Sequence, residues 1–229
     1  MRKWIASSRL MEFICSAILF DLDGVLVDSS VVVERHWKRW ADCHGVSFED
    51  LMQVAHGRTS AEIIRIVAPQ LDAEQEGRIR EAEEGVDTDG LEVSPTANRL
   101  LRSLPPDSWA VVTSGNRCAA STRLRYGDLP TPPVLVTAED VQRGKPDPEP
   151  FLLAAKRLGA QPEQCVVIED APVGIEGARA AGMRVIAVTT THSPQALTHA
   201  DAIAHDLGSV AVETEGNQLR VTVESAQVA

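Results

Sequence analysis

Short, predominantly apolar runs recur at residues 17–20, 109–113, 134–136, 165–168 and 184–188, each bounded by turn-forming residues. Continuous rather than alternating apolar character is expected of strands buried on both faces, as in a parallel sheet. Helical patterns fill the intervals, over 95–104, 116–126, 148–158 and 172–181, several with proline at or near the first turn. This alternation predicts an α/β fold: a doubly wound parallel sheet with the carboxyl ends of its strands on one edge, where such sheets collect ligands.

Residues 29–93 break the alternation. Segments 31–44, 48–55, 60–67 and 73–84 all carry helical periodicity with no strand between them, which predicts an inserted all-helical cap domain. The polar stretches Asp87-Thr88-Asp89-Gly90 and Val93-Ser94-Pro95 return the chain to the core, so the core comprises 11–28 and 94–229. Because the insertion begins just after the first apolar run, it is expected to sit over the sheet edge as a lid. Trp37, Trp40 and Phe48 are expected in the cap's own core. Alternating positions around Gly216-Asn217 predict a C-terminal β-hairpin at a sheet edge. Residues 1–10 are expected to be a disordered or mis-started extension, with Met11 as the biological start.

Composition narrows the partners. A net charge of −11 and a pI near 5.0 argue against general binding to nucleic acid or anionic membranes, which needs a concentrated positive surface. No apolar stretch reaches the roughly 18 to 20 residues a membrane span requires, so a soluble, cytoplasmic protein is expected. Cys15, Cys43, Cys118 and Cys165 lack metal or redox spacing and are expected as buried free thiols. The six histidines make no metal-ligand pattern, and most are expected at the surface.

The chemistry begins at Asp21-Leu22-Asp23-Gly24, where two carboxylates follow a buried strand. Alone, this is either an acidic turn or a reaction centre. Three further groups fall at the same predicted edge: Thr113-Ser114-Gly115-Asn116, Lys145, and Glu169-Asp170. Together they suit hydrolysis of a phosphate monoester. Asp21 can attack phosphorus and form an acyl phosphate, and Asp23 can protonate the leaving alkoxide and then activate water. Magnesium, preferred by hard oxygen ligands, would sit on Asp21, Asp170 and the Asp23 backbone carbonyl. The Thr113 hydroxyl and the N–H groups of Ser114 and Gly115 suit phosphate oxygens at a helix start, with Asn116 and Gly24 as further substrate- or phosphate-binding candidates, and Lys145 supplies a point charge.

The segments Asp21-Leu22-Asp23-Gly24-Val25-Leu26-Val27-Asp28-Ser29, Thr113-Ser114-Gly115, Gly144-Lys145-Pro146-Asp147-Pro148 and Val167-Ile168-Glu169-Asp170-Ala171-Pro172 resemble, in order, the four motifs of the haloacid dehalogenase superfamily. The resemblance implies a Rossmann-like core with a small helical cap. It assigns Asp21 as nucleophile, Asp23 as acid/base, Thr113 and Lys145 as phosphate binders, and Asp170 supported by Glu169 as the magnesium site. The cap segment Ala55-His56-Gly57-Arg58-Thr59-Ser60 is similar to the glycerol-3-phosphatase and 2-deoxyglucose-6-phosphatase branch, which makes His56 and Arg58 candidates for substrate contact.

A phosphonatase would need a cap lysine, and no lysine falls between Lys38 and Lys145. A sugar phosphomutase of the β-phosphoglucomutase type shares the core chemistry. Its cap resembles Gly-x-Ser-Arg, whereas Gly57-Arg58-Thr59-Ser60 has the arginine displaced. A non-catalytic metabolite-binding regulator is a third reading, with every catalytic position filled against it. The expectation is a magnesium-dependent phosphatase of a small sugar or polyol phosphate, monomeric or weakly dimeric.

Overall fold

The computed structural model describes residues 9–225. Its centre is a six-stranded, all-parallel sheet built from β2 (Ala17–Phe20), β5 (Trp109–Val112), β6 (Val134–Val136), β7 (Cys165–Glu169), β8 (Arg184–Val188) and β9 (Ala202–Ala204), in the order β6-β5-β2-β7-β8-β9. Side chains alternate across it. Ile18 and Phe20 of β2 join a core with Trp109, Leu100 and Leu124, under α5 (Ala97–Ser103) and α6 (Arg117–Tyr126). Ala17 and Leu19 face the opposite core with Phe151, Ala154 and Ile175, under α7 (Glu149–Leu158) and α8 (Pro172–Ala180). Both faces are covered, which is why the strand sequences read as predominantly apolar runs.

The insertion is helical throughout: α1 (Ser30–His44), α2 (Phe48–Ala55), α3 (Ser60–Val67) and α4 (Ala73–Glu84). Its chain enters and leaves on an antiparallel pair, β3 (Val27–Asp28) with β4 (Glu92–Val93). Each later helix start is capped by its own sequence. Ser47 accepts from Asp50 N, Thr59 and Glu62 form a reciprocal capping box, and Asp72 accepts from Gln75 N. A separate apolar core holds these helices together, with Trp37 and Trp40 in edge-to-face contact at 5.7 Å and Leu51, Ile63 and Ile64 packed beside them. Phe48 packs at the rim of this core.

Three expectations are corrected. Arg9 and Leu10, assigned to a disordered extension, pair with Ser225 and Glu224 as the start of β1 (Arg9–Cys15); positions 1–8 of that extension lie outside the described residues. The expected C-terminal hairpin is present, formed by β10 (Val210–Glu215) and β11 (Gln218–Ser225). It joins β1 in a second sheet ordered β1-β11-β10, whose Leu219, Val221 and Val223 cover the α5/α6 face. Cys15 and Cys165 are buried free thiols, pushed up to about 12 and about 11 mainly by burial, but Cys43 and Cys118 are exposed. Of the histidines, His199 and His205 are exposed while His36 is buried against Asp87, whose carboxylate its ring meets at 2.9 Å.

The loop carrying Lys145 is anchored at its base by Asp140. Its carboxylate accepts from Thr137 N and Thr137 Oγ1, at 2.9 and 2.8 Å, and from Arg117 and Arg157, at 2.6 and 2.9 Å. These donors hold its carboxyl at about 2, below the ordinary 3.8, although partial burial opposes them. A lowered folded value means stabilisation that is present above the ordinary value and lost as pH falls towards the folded one. Asp140→Asn is therefore expected to lower stability by about 1 to 2 kcal/mol near neutral pH. Urea melts should show that difference shrinking between about pH 4 and about pH 2. A difference that persists unchanged in acid would contradict this anchoring.

Candidate active site

Asp21 follows β2, Thr113 follows β5, Glu169 ends β7 and Asp170 follows it, so three neighbouring parallel strands deliver their terminal polar groups to one edge. Lys145, from the loop beyond β6, reaches the same point and is 1% exposed. Its Nζ donates to Asp21 Oδ1 at 2.6 Å, Glu169 Oε1 at 2.6 Å and the Val112 carbonyl at 3.1 Å. All the protons of the ammonium are thus used, and its charge acts on anything bound at Asp21 through that carboxylate.

Glu169 is fully buried. Its Oε1 accepts from Lys145 and its Oε2 from the N–H groups of Asp170 and Ala171, both at 2.8 Å. With both oxygens engaged it holds Lys145 and the turn after β7. Asp170 accepts from Thr191 Oγ1. Asp21, Glu169 and Asp170 offer oxygen atoms that all lie within 4.8 Å of one another. Three buried carboxylates face one ammonium, an excess of negative charge. Burial pushes the Asp21 carboxyl up to about 7, with Lys145 opposing and Glu169 and Asp23 adding to the rise. Burial, then Glu169 and Asp21, push Asp170 up as well. A divalent cation with oxygen preference fits this donor set and its unbalanced charge.

Two glycines are fixed by this cluster. Gly24 has φ +81°, and a Cβ there would lie 2.1 Å from Asp170 Oδ2; a Cβ on Gly174 would lie 1.7 Å from Glu169 Oε1. The Gly24 N–H itself donates to Val27 O at 2.8 Å, so its contribution is the missing side chain.

Asp23 stands apart from the acidic cluster. Its Oδ1 accepts from Ser29 Oγ at 2.5 Å and meets Arg123 Nε at 3.0 Å. Arg123 was missing from the expected set. It lies on α6 with Ala119, Ala120 and Leu124 as the buried face, and a helix read for its small apolar stripe hides an inward arginine at the same spacing.

The remaining expected residues divide. Thr113 is buried beside the cluster, and its Oγ1 accepts from Gly115 N at 3.0 Å, so that N–H is already used. Ser114 Oγ donates to the carbonyl of Gly57 in the cap at 2.7 Å. Asn116 caps α6 by accepting from Ala119 N at 2.7 Å, and its amide faces Glu81 of α4 at 3.4 Å; its side chain serves the helix and the cap. Arg58 donates to Val54 O at 3.1 Å, and His56 stands edge-on to His192 at 5.0 Å, with burial and then His192 lowering its pKa. All of these line one cleft between cap and sheet edge, with Asp21, Asp23, Asp170 and Arg123 at its floor and Trp37, Met52 and Ile63 on its cap side.

A parallel α/β core carrying an acidic, lysine-held cleft under a helical insertion defines a class of hydrolase. The haloacid dehalogenase-like hydrolase family matches residues 15–182, and the chain belongs to that family. It is similar to hexitol phosphatase A of Escherichia coli, 40% identical over 208 residues covering 89% of this chain and 96% of that protein. It is also similar to 2-deoxyglucose-6-phosphate phosphatase 1 of Saccharomyces cerevisiae, 32% identical over 89% of this chain and 92% of that protein. Among solved structures, β-phosphoglucomutase from Clostridium difficile superposes with a TM-score of 0.73 at 20% identity, covering 84% of this chain and 91% of that one, and shares the fold.

Gly174→Ala is expected to drive Glu169 off Lys145 and leave buried charges unpaired, at a cost of about 3 kcal/mol or more. Thermal and urea melts measure this. Wild-type stability in that variant would show that Glu169 is not confined as described.

Proposed function

We propose that this protein hydrolyses small sugar or polyol phosphates with magnesium, through a phosphorylated aspartate. The observation that carries the reading is the Lys145 ammonium bound at once to Asp21 and Glu169, with Asp170 completing a buried acidic group at one sheet edge. Its sequence relatives named above are phosphatases of phosphorylated sugars and hexitols.

Asp21 is the nucleophile. Lys145 occupies its Oδ1, which orients Oδ2 for attack on phosphorus and lowers the charge that builds as the bond forms. Asp21, Asp170 and the Asp23 backbone carbonyl would hold the magnesium ion, which when bound screens the approaching anions from one another. Glu169 fixes Lys145 and the Asp170 backbone. Asp23 gives its proton to the departing alkoxide and recovers one from the water that attacks the phosphoaspartate. Thr113 and the start of α6 face the phosphoryl oxygens, where the helix dipole favours negative charge. The cap supplies Glu34, Ser60, Arg80 and Glu81 for hydroxyl groups and Trp37 with Met52 for the carbon chain. Covered in this way, the cleft suits a small molecule, and no helix among the described residues is long and apolar enough to cross a membrane.

Asp21→Asn is expected to abolish phosphate release from hexitol, hexose and glycerol phosphates with the circular dichroism spectrum unchanged; substantial turnover by that variant would refute the nucleophile. Magnesium should raise the melting temperature of the wild type, because it relieves the carboxylate excess, and should fail to do so for Asp170→Asn. An equal rise in both would remove Asp170 from the metal site. Formation of an isomeric sugar phosphate in place of free phosphate would favour a phosphomutase.

A further inference from the structure

The two oxygens of Asp23 are treated unequally. Oδ1 accepts from Ser29 Oγ at 2.5 Å and forms an ion pair with Arg123 Nε at 3.0 Å. Oδ2 has no hydrogen-bond partner among the described residues and borders Gly115, 3.9 Å from where a Cβ on that glycine would stand. Arg123 borders the same glycine, with Nη1 at 3.4 Å from that point. One oxygen is thus clamped and the other is presented along the backbone that follows Thr113.

The clamp is itself held from the cap. Arg123 belongs to the core helix α6 and is 4% exposed, and its Nη2 donates to Oε1 of Glu84, the last residue of cap helix α4, at 2.6 Å. Glu84 Oε2 is paired with Arg80 one turn earlier. Arg80 is fixed in turn by Ser60 Oγ, to which Nη2 donates at 2.8 Å, and by the Trp37 ring, whose centroid lies 4.0 Å from its guanidinium. Charges therefore alternate from Asp23 through Arg123 and Glu84 to Arg80, crossing from core to cap. Arg123, Glu84 and Arg80 are all more than nine-tenths buried. Buried ion pairs add little stability over apolar side chains of similar size, so stability does not account for such a chain. Geometry does: a planar guanidinium paired at two of its nitrogens with two different carboxylates is constrained in orientation.

We propose that Arg123 is the positioning residue for Asp23, fixing Oδ1 so that Oδ2 meets the leaving oxygen of the substrate, and that Glu84 aims Arg123 only when α4 lies against α6. The cap thereby takes part in leaving-group protonation as well as in covering the cleft. This rests on Asp23 being the acid/base of the proposed phosphatase.

The test compares two substrates in each variant: an alkyl phosphate, glycerol or hexitol phosphate, whose alkoxide must be protonated, and p-nitrophenyl phosphate, whose phenolate leaves without a proton. The ratio of their kcat/KM values covers only the steps through departure of the alcohol or phenol, leaves out the shared hydrolysis of the phosphoaspartate, and is independent of how much of a variant is folded. Asp23→Asn should lower that ratio by about 10²-fold or more. Arg123→Met should lower it by about tenfold to 10²-fold with little change in KM for the alkyl ester, Arg123→Lys should restore part of it, and Glu84→Gln should lower it in the same direction by less. A ratio that collapses in Asp23→Asn but stays at the wild-type value in Arg123→Met and Glu84→Gln would overturn the positioning role alone. A ratio unchanged in Asp23→Asn would overturn the acid assignment and the positioning role together.

Discussion

The whole active edge depends on one ammonium group. Lys145 is buried among Asp21, Glu169 and the Val112 carbonyl, and without it three buried carboxylates would face one another with no ammonium between them. Removing one partner from such a group costs about 3 to 5 kcal/mol, a large part of a domain's stability. Neighbouring features serve this contact. Gly174 leaves room for Glu169, Gly24 leaves room for Asp170, and Asp140 fastens the loop that brings Lys145 back to the sheet. Even with Lys145 in place the carboxylates outnumber the cations, and that residual charge is the physical basis for expecting a divalent metal.

A second charge system lies across the cleft and differs in kind. The Lys145 group is confined to the core, whereas the series Asp23, Arg123, Glu84 and Arg80 joins core to cap. Asp21 is held by the core residue Lys145, whereas Asp23 is linked through Arg123 to Glu84 on α4. This division suits an enzyme that must admit substrate before it can protonate a leaving group, because the cap then controls the step that water would otherwise spoil.

Much of this was legible in the sequence. Buried parallel strands are dense in Val, Ile, Leu and Ala, and three of the four cap helices carry their own caps, at Ser47, Thr59 and Asp72, so elements such as 48–55, 60–67 and 73–84 appear at the expected bounds. Strand ends were legible for a different reason: Asp21, Thr113 and Glu169 each end an apolar run. Strand β1 was not, because its outward residues Leu10 and Ile14 are apolar too, 69% and 47% exposed, which erases the alternation. β9 is three residues long, two of them alanine. Asn116 has the right position for a phosphate ligand, but its side chain is spent on the α6 N-terminus and on Glu81. Arg123 and Glu84 escaped notice since Arg80 and Glu84, four apart on a polar helix, look like an ordinary surface pair, and only the tertiary fold turns them inward.

The central claim is that Asp21 carries the phosphoryl group while Lys145 and Asp170 flank it. Its most direct test is a crystal structure of the wild-type protein grown with magnesium and beryllofluoride, a mimic of a phosphorylated carboxylate. The account predicts beryllium bonded to Asp21 Oδ2, Lys145 still on Oδ1, and the metal bridging Asp21 and Asp170. Beryllofluoride bound to another residue, or a metal seated away from Asp170, would contradict it.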